Sequence, residues 1–160
     1  MLIMKLVLMN VGKTDESYLQ QGILEYTHRI SRFAELSLMD LPALKARRKE
    51  PPAELCRREG ELILKTAQPF KPKVLLDEKG RQYSSREYAA WLQKIMSQGW
   101  KEMVFITGGA YGFSEEVYRE ADYSISLSRM TFTHQMVRLV FLEQLYRAFT
   151  ILKGMPYHND

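Results

Sequence analysis

The stretch Phe105–Val117, FITGGAYGFSEEV, decides how the chain is read. An apolar run from Met103 to Ile106 stops at a glycine pair, Gly108 and Gly109. Gly112 follows, and Ser114 stands where a helix would begin, its hydroxyl placed to accept from N–H groups that lack a helical partner. Strand, glycine turn and helix together form an arrangement that holds nucleotides. A dinucleotide-binding turn, however, reads G-x-G-x-x-G, follows the first strand and opens a long helix, with an acidic residue about twenty positions on. Here the spacing is G-G-x-x-G, after the fourth expected strand and before a short helix. No G-x-x-x-x-G-K-[ST] loop occurs either. Taken alone, the glycines say only that this turn needs positive φ or a close backbone approach.

Working outward, strands and helices alternate. Leu2–Met9 reads as the first strand, and Thr14 or Asp15 as the cap of a helix running to about Arg32. On that helix Leu19, Ile23, Tyr26, Ile30 and Phe33 share one face. Glu35–Leu41 is a second strand, and KARRKEPP a charged loop stopped by prolines. Pro51 or Pro52 suits the first turn of a helix to about Ala67, with Leu55, Leu62 and Ile63 inward. Lys73–Leu76 is a short strand followed by a DEKG turn. Ser84 and Glu87 spell a capping box for a helix that buries Tyr88, Trp91, Leu92, Ile95 and Met96 and stops at Gly99. Met103–Ile106 and Tyr123–Leu127 are the fourth and fifth strands, with a short helix after Ser114 between them. A long helix is expected from Thr133 to Lys153, ended by Gly154 and Pro156. This order predicts an α/β fold: one domain over residues 1–160, with a mostly parallel sheet flanked by helices.

Composition agrees. Apolar residues make up 46% and charged residues 26% of 160, the profile of a globular domain. The net charge is +4, and Lys45–Arg58 alone holds six Lys/Arg against two Glu, so an anionic partner is expected there. One cysteine, Cys56, excludes an internal disulfide and suggests a reducing, cytoplasmic setting. The opening MLIMKLVLMNVGK is expected to be a buried strand rather than a signal peptide, and no apolar run approaches membrane-spanning length. No Cys/His cluster suggests a metal.

The segment Ser124–Phe149, SISLSRMTFTHQMVRLVFLEQLYRAF, adds a second loop, with Ser126, Ser128 and Thr131, between the fifth strand and the last helix. Two polar loops thus leave the C-terminal ends of two strands, which is where open α/β sheets bind ligands. Neither loop holds a lysine, so an adenosine-like ligand held by backbone groups fits better than a triphosphate. The last helix is apolar on almost every side, and one sheet face cannot cover it, so a second copy of the chain is expected against it.

These segments, with KLVLMNVGK near the start, REGELIL at Arg58–Leu64 and the Tyr-His pair near the end, closely resemble the RlmH family of SPOUT-superfamily methyltransferases over essentially the whole chain. The resemblance implies a trefoil knot in the C-terminal part, about residues 73–155, which forms an S-adenosylmethionine site. It implies a homodimer that methylates N3 of a pseudouridine in helix 69 of 23S ribosomal RNA on the ribosome. It places the cofactor at Leu76, Gly108, Gly109, Leu127, Ser128, Arg129, Met130, Thr131 and Phe132. The family's tail reads Tyr-His-basic; Tyr157 and His158 match, but Asn159 and Asp160 follow.

The acceptor nitrogen is an imide N–H, and its proton must leave before or during attack. By resemblance His158, with Tyr157 as a stacking face, is the candidate catalytic pair. His134 is expected to order its loop, His28 to be inert, and Cys56 to be a small buried apolar group. Arg47, Arg48 and Lys49, together with Arg129, are the candidate RNA contacts. Two other classes fit parts of the pattern: a non-catalytic RNA-binding module and a flavodoxin-like nucleotide binder.

Overall fold

The computed structural model describes residues 4–160. Five parallel strands form one sheet: β1 (Lys5–Val11), β2 (Glu35–Leu41), β3 (Lys73–Gln82), β4 (Glu102–Thr107) and β5 (Tyr123–Ser126), in the order β2-β1-β4-β3-β5. Leu2 and Ile3, where the first strand was expected to begin, lie outside the described residues. Alternation along the central strands explains their continuous apolar runs, because both faces are covered. Leu6, Leu8, Met103 and Phe105 face one core cluster, and Val7, Met9, Val104 and Ile106 face the other.

Helices α1 (Ser17–Ile30), α3 (Ser85–Met96) and α5 (Met136–Leu152) cover the first face. Helices α2 (Pro52–Ala67) and α4 (Glu115–Glu120) cover the second. β2 and α2 stand where the sequence places them, and the Ser84–Glu87 capping box is present in both directions. Helix α1 is shorter than expected and carries no side-chain cap. The expected caps are engaged elsewhere. Thr14 Oγ1 accepts from Arg138 at 2.8 Å, and Asp15 pairs with Gln135 through both its N–H (2.8 Å) and its carboxylate (3.0 Å). Helix α5 starts at Met136 rather than Thr133, with Thr133 Oγ1 accepting from Met136 N–H at 3.1 Å. Its flanks are covered by α1 and α3, so this chain hides more of it than one sheet face would.

β3 departs furthest from expectation. DEKG is not a turn after the strand but a bulge inside it. Ile125 pairs first with Leu76 and again with Arg81, so residues 77–80 loop out and the strand resumes. Gly80 permits this, since a Cβ there would lie 2.6 Å from the Ile125 nitrogen. Gly80→Ala should therefore lower stability by about 1–3 kcal/mol, as overpacking does, read as a lower urea midpoint. An unchanged midpoint would mean β5 yields freely and the bulge is not held by this approach.

Candidate functional site

All five strands are parallel, so their C-terminal ends share one edge. There the ends of β4, β3 and β5 surround a cavity of about 390 Å³, within the range of small-ligand sites. Of the positions implied by resemblance, Leu76, Gly108, Gly109, Leu127, Ser128, Met130, Thr131 and Phe132 line it. Arg129 does not; it sits on the exposed side of its loop.

The glycine turn is tightly built. Gly112 donates to the Gly109 carbonyl at 3.1 Å and has φ 76°. A Cβ on Gly108 would meet the Gly112 backbone and the Phe113 ring at 3.3 Å, and one on Gly109 would meet the Glu59 carboxylate at 2.6 Å. Both glycines thus serve close packing inside the turn. Behind it, the Glu59 carboxyl is raised by burial, an effect partly offset by the Gly109 N–H it accepts. Cys56, expected to be inert filling, is half-buried and donates to the Gly112 carbonyl at 3.6 Å; burial first, then Glu59, raises its thiol.

In the opposite loop the serines organise backbone. Ser126 Oγ donates to the Ser128 carbonyl at 2.8 Å, and Ser128 Oγ accepts from Met130 N–H at 3.0 Å. Among the described residues, Arg129, Thr131 and Phe132 give neither N–H nor C=O to another backbone group. These backbone groups and the apolar walls fit an adenosine-like ligand. Residues the sequence did not point to also line the cavity: Asp77, Glu78, Phe113, Thr133, His134 and Val137. The bulge in β3 delivers Asp77 and Glu78, and no spacing announces a bulge. His134 is exposed at the cavity wall, and among the described residues its side chain makes no hydrogen bond.

The charged loop after β2 opens on the same edge. Arg47, Arg48 and Lys49 are exposed. Arg58 is not free: it clasps Glu50 through Nε (2.7 Å) and Nη2 (2.8 Å) and also donates to the Lys45 carbonyl (3.0 Å). Arg57 pairs with Glu54 and Glu61. The local excess is therefore concentrated at the loop tip.

The tail is folded down rather than frayed. Tyr157 donates to Glu143 at 3.1 Å, lies 3.3 Å from the Tyr26 hydroxyl, packs edge-on to Tyr146 and carries Arg147 over its ring. Burial first, then these hydrogen bonds, pushes its phenol well up, so it is a neutral group with little free ring face. His158 Nδ1 faces Arg147 Nη1 at 3.3 Å and Nε2 faces Asp160 at 3.0 Å. Arginine only donates and carboxylate only accepts, so both contacts are met by the neutral ring protonated on Nε2. Neither Tyr157 nor His158 reaches the cavity of its own chain. From Val137 at the cavity to Arg147 beside His158 is ten helical residues, about 15 Å along the axis.

A family model described as "Predicted SPOUT methyltransferase" matches residues 4–158. The chain belongs to this family. A Parabacteroides distasonis protein named "Ribosomal RNA large subunit methyltransferase H" is 46% identical over 157 residues, covering 98% of this chain and 100% of its own length. A Christiangramia forsetii protein of the same name is 48% identical over 156 residues, covering 98% and 99%. The RlmH resemblance is thus shown over nearly the whole chain. A Bordetella pertussis structure described as a probable methyltransferase superposes with a TM-score of 0.56 at 9% identity, covering 91% of this chain and 96% of that one. That match shows the fold.

Glu50 makes the charged loop testable. Its carboxyl is held down to about 2, first by Arg58 and then by the Arg47 N–H. A depressed carboxyl stabilises the fold above its ordinary range of about 4.5 and loses that contribution as pH falls toward 2. Glu50→Gln should thus open the loop even at neutral pH, seen as faster tryptic cutting after Arg47 and Arg48. Equal cutting rates would mean Glu50 does not hold the loop.

Proposed function

We propose that this chain methylates N3 of a pseudouridine in helix 69 of 23S ribosomal RNA, on the ribosome. S-adenosylmethionine is the methyl donor of SPOUT methyltransferases, and this chain is one of them. The observation that carries the reading to this site is the cavity at the ends of β3, β4 and β5, walled by two loops with free backbone groups. Leu76, Gly108, Gly109, Leu127, Ser128, Met130, Thr131 and Phe132 would hold the cofactor, and Arg129 on the outer side of the loop would face RNA. When bound, the cofactor supplies an activated methyl, so the protein's task is positioning.

Arg47, Arg48 and Lys49 supply the phosphate contacts in this reading, because they are exposed, basic and in a loop that leaves the same edge of the sheet. The chain is read as one domain over 1–160, knotted over about 73–155, and as a cytoplasmic protein. No described helix is long and apolar enough to cross a membrane, and no group of described residues could hold a metal.

The working unit is read as a homodimer with composite sites. Leu24 is 72% exposed, and Leu139, Val140, Ile151 and Leu152 on α5 are half-exposed, which favours a partner there. His158 and Tyr157 would then serve the partner's cavity, since they stand well away from their own. To take the imide proton, His158 must free one ring nitrogen from Arg147; Nε2–H stays on Asp160, the residue found near the position of the family's basic one.

Calorimetry tests the first part: S-adenosylmethionine should bind the wild type, and Gly108→Val, by forcing the turn apart, should abolish binding. Normal binding by a folded Gly108→Val chain would move the site elsewhere. A mixed dimer tests the second. Gly108→Val in one chain and His158→Ala in the other should leave one of two composite sites intact and restore about half the activity, while His158→Ala alone should lose roughly 10²–10⁴ in rate if it moves the proton. A mixed dimer as inactive as its parents would show that each site is built within one chain.

A further inference from the structure

Several carboxylates of the molecule are paired with cations: Glu50 with Arg58, Glu54 with Arg57, Glu143 with Arg147, and Asp160 with Arg86. The two carboxylates on the cavity wall are not. Asp77 accepts from the Tyr118 hydroxyl and Glu78 from the Thr131 hydroxyl, each at 2.7 Å. Neither forms an ion pair among the described residues, and no lysine or arginine lines the cavity. A hydroxyl orients a carboxylate without cancelling its charge. In each case one oxygen is held and the other has no protein partner among the described residues. Asp77 is half-buried and Glu78 exposed, so the first is less screened by solvent. The wall therefore carries two oriented, uncompensated negative charges beside apolar and backbone surface.

We infer that Asp77 and Glu78 are charge-reading residues that select the sulfonium form of the cofactor over the neutral thioether left after transfer. This rests on the cofactor reading above. S-adenosylmethionine and S-adenosylhomocysteine share the adenosine, the α-amino and the carboxylate groups; they differ by one methyl and one positive charge at sulfur. Any group that reads only the shared parts binds both alike. A fixed negative charge near sulfur attracts one and is indifferent to the other. The same wall repels phosphates, which separates this cavity from a nucleoside triphosphate site. It also assists turnover, because the attraction disappears when the methyl leaves.

The test is calorimetry of both ligands on the wild type, Asp77→Asn, Glu78→Gln and the double variant. Both substitutions keep shape and an oxygen acceptor for the hydroxyl. At separations of several ångströms in a partly wet site, each charge should change S-adenosylmethionine affinity by about fivefold to tenfold, with Asp77 the larger. Affinity for S-adenosylhomocysteine should hold within about twofold in every variant, which also reports that the variants are folded. Equal losses for both ligands would overturn the inference and assign the acids to the shared amino group or to loop order. An unchanged ratio in the double variant would overturn it as well. A wild type that binds neither ligand would refute the cofactor reading itself, and this inference with it.

Discussion

Arg138 is fully buried and has no carboxylate partner among the described residues, and the start of α5 depends on how its guanidinium is satisfied. It donates to the Val11 carbonyl and to Thr14 Oγ1, both at 2.8 Å, and its Nε has no partner. Burial lowers its pKa, against the pull of Asp40 and Asp15. A buried cation left unpaired is costly, so these contacts leave the β1–α1 junction little freedom. One residue-turn away, Gln135 and Asp15 exchange two further hydrogen bonds. Four hydrogen bonds thus fasten Gln135 and Arg138, at the start of α5, to the β1–α1 junction, one of them to the last residue of β1. Val137 of that turn and His134 just before it wall the cavity. The position of the cavity's helical wall is therefore set from the junction after β1.

The opposite wall depends on β3. Placed between β4 and β5, it brings two separate loops to neighbouring positions on one edge. Its bulge then pushes Asp77 and Glu78 out of the ladder toward those loops, where Tyr118 and Thr131 bind them. Thr131 belongs to the loop after β5, so Glu78 links the two sides of the cavity. The glycine turn is backed by α2 through Glu59 and Cys56. The same helix holds the charged loop through Arg58 and Glu50. Sheet edge, glycine turn and basic loop are in this way parts of one connected framework.

What was legible in the sequence follows from which interactions are local. The capping box at Ser84, the proline start of α2 and the apolar run of β4 act within a few residues and stand as read, while β1 runs over Lys5–Val11, two residues further than read at its C-terminal end. The cap of α1 was misread because Thr14 and Asp15 are claimed by Gln135 and Arg138, more than a hundred residues away. DEKG carries the composition of a turn, and only pairing with β5 makes it a bulge. Nothing local marks Arg138 as buried, because its partners Val11 and Thr14 lie more than a hundred residues away. The glycine turn and the loop after β5 were legible from their strand-end positions as candidate ligand loops, and both line the cavity. Their acidic wall was not, since it depends on that bulge.

The tail poses a mechanical question that the cavity alone does not. Five residues after a helix stop would ordinarily fray, yet Tyr157 and His158 are held by Tyr26, Glu143, Tyr146, Arg147 and Asp160. Asp160 in turn is clasped by Arg86 at the start of α3 through two bonds of 2.7 Å. Reaching the cavity of the same chain would mean breaking most of these contacts and crossing roughly ten helical residues of α5, about 15 Å. Each hydrogen bond lost is worth about 1 kcal/mol and the aromatic contact about as much again, so the move would cost several kcal/mol at every turnover. In the proposed dimer a partner chain laid against α5 would require no such movement, because it would bring its own cavity to a tail that is already held in place. Pre-ordering then works in favour of the composite arrangement. In that reading Arg147 and Asp160 hold the His158 ring in one orientation, so only the Arg147 contact would have to give way, and a fixed group would lose little entropy when substrate arrives.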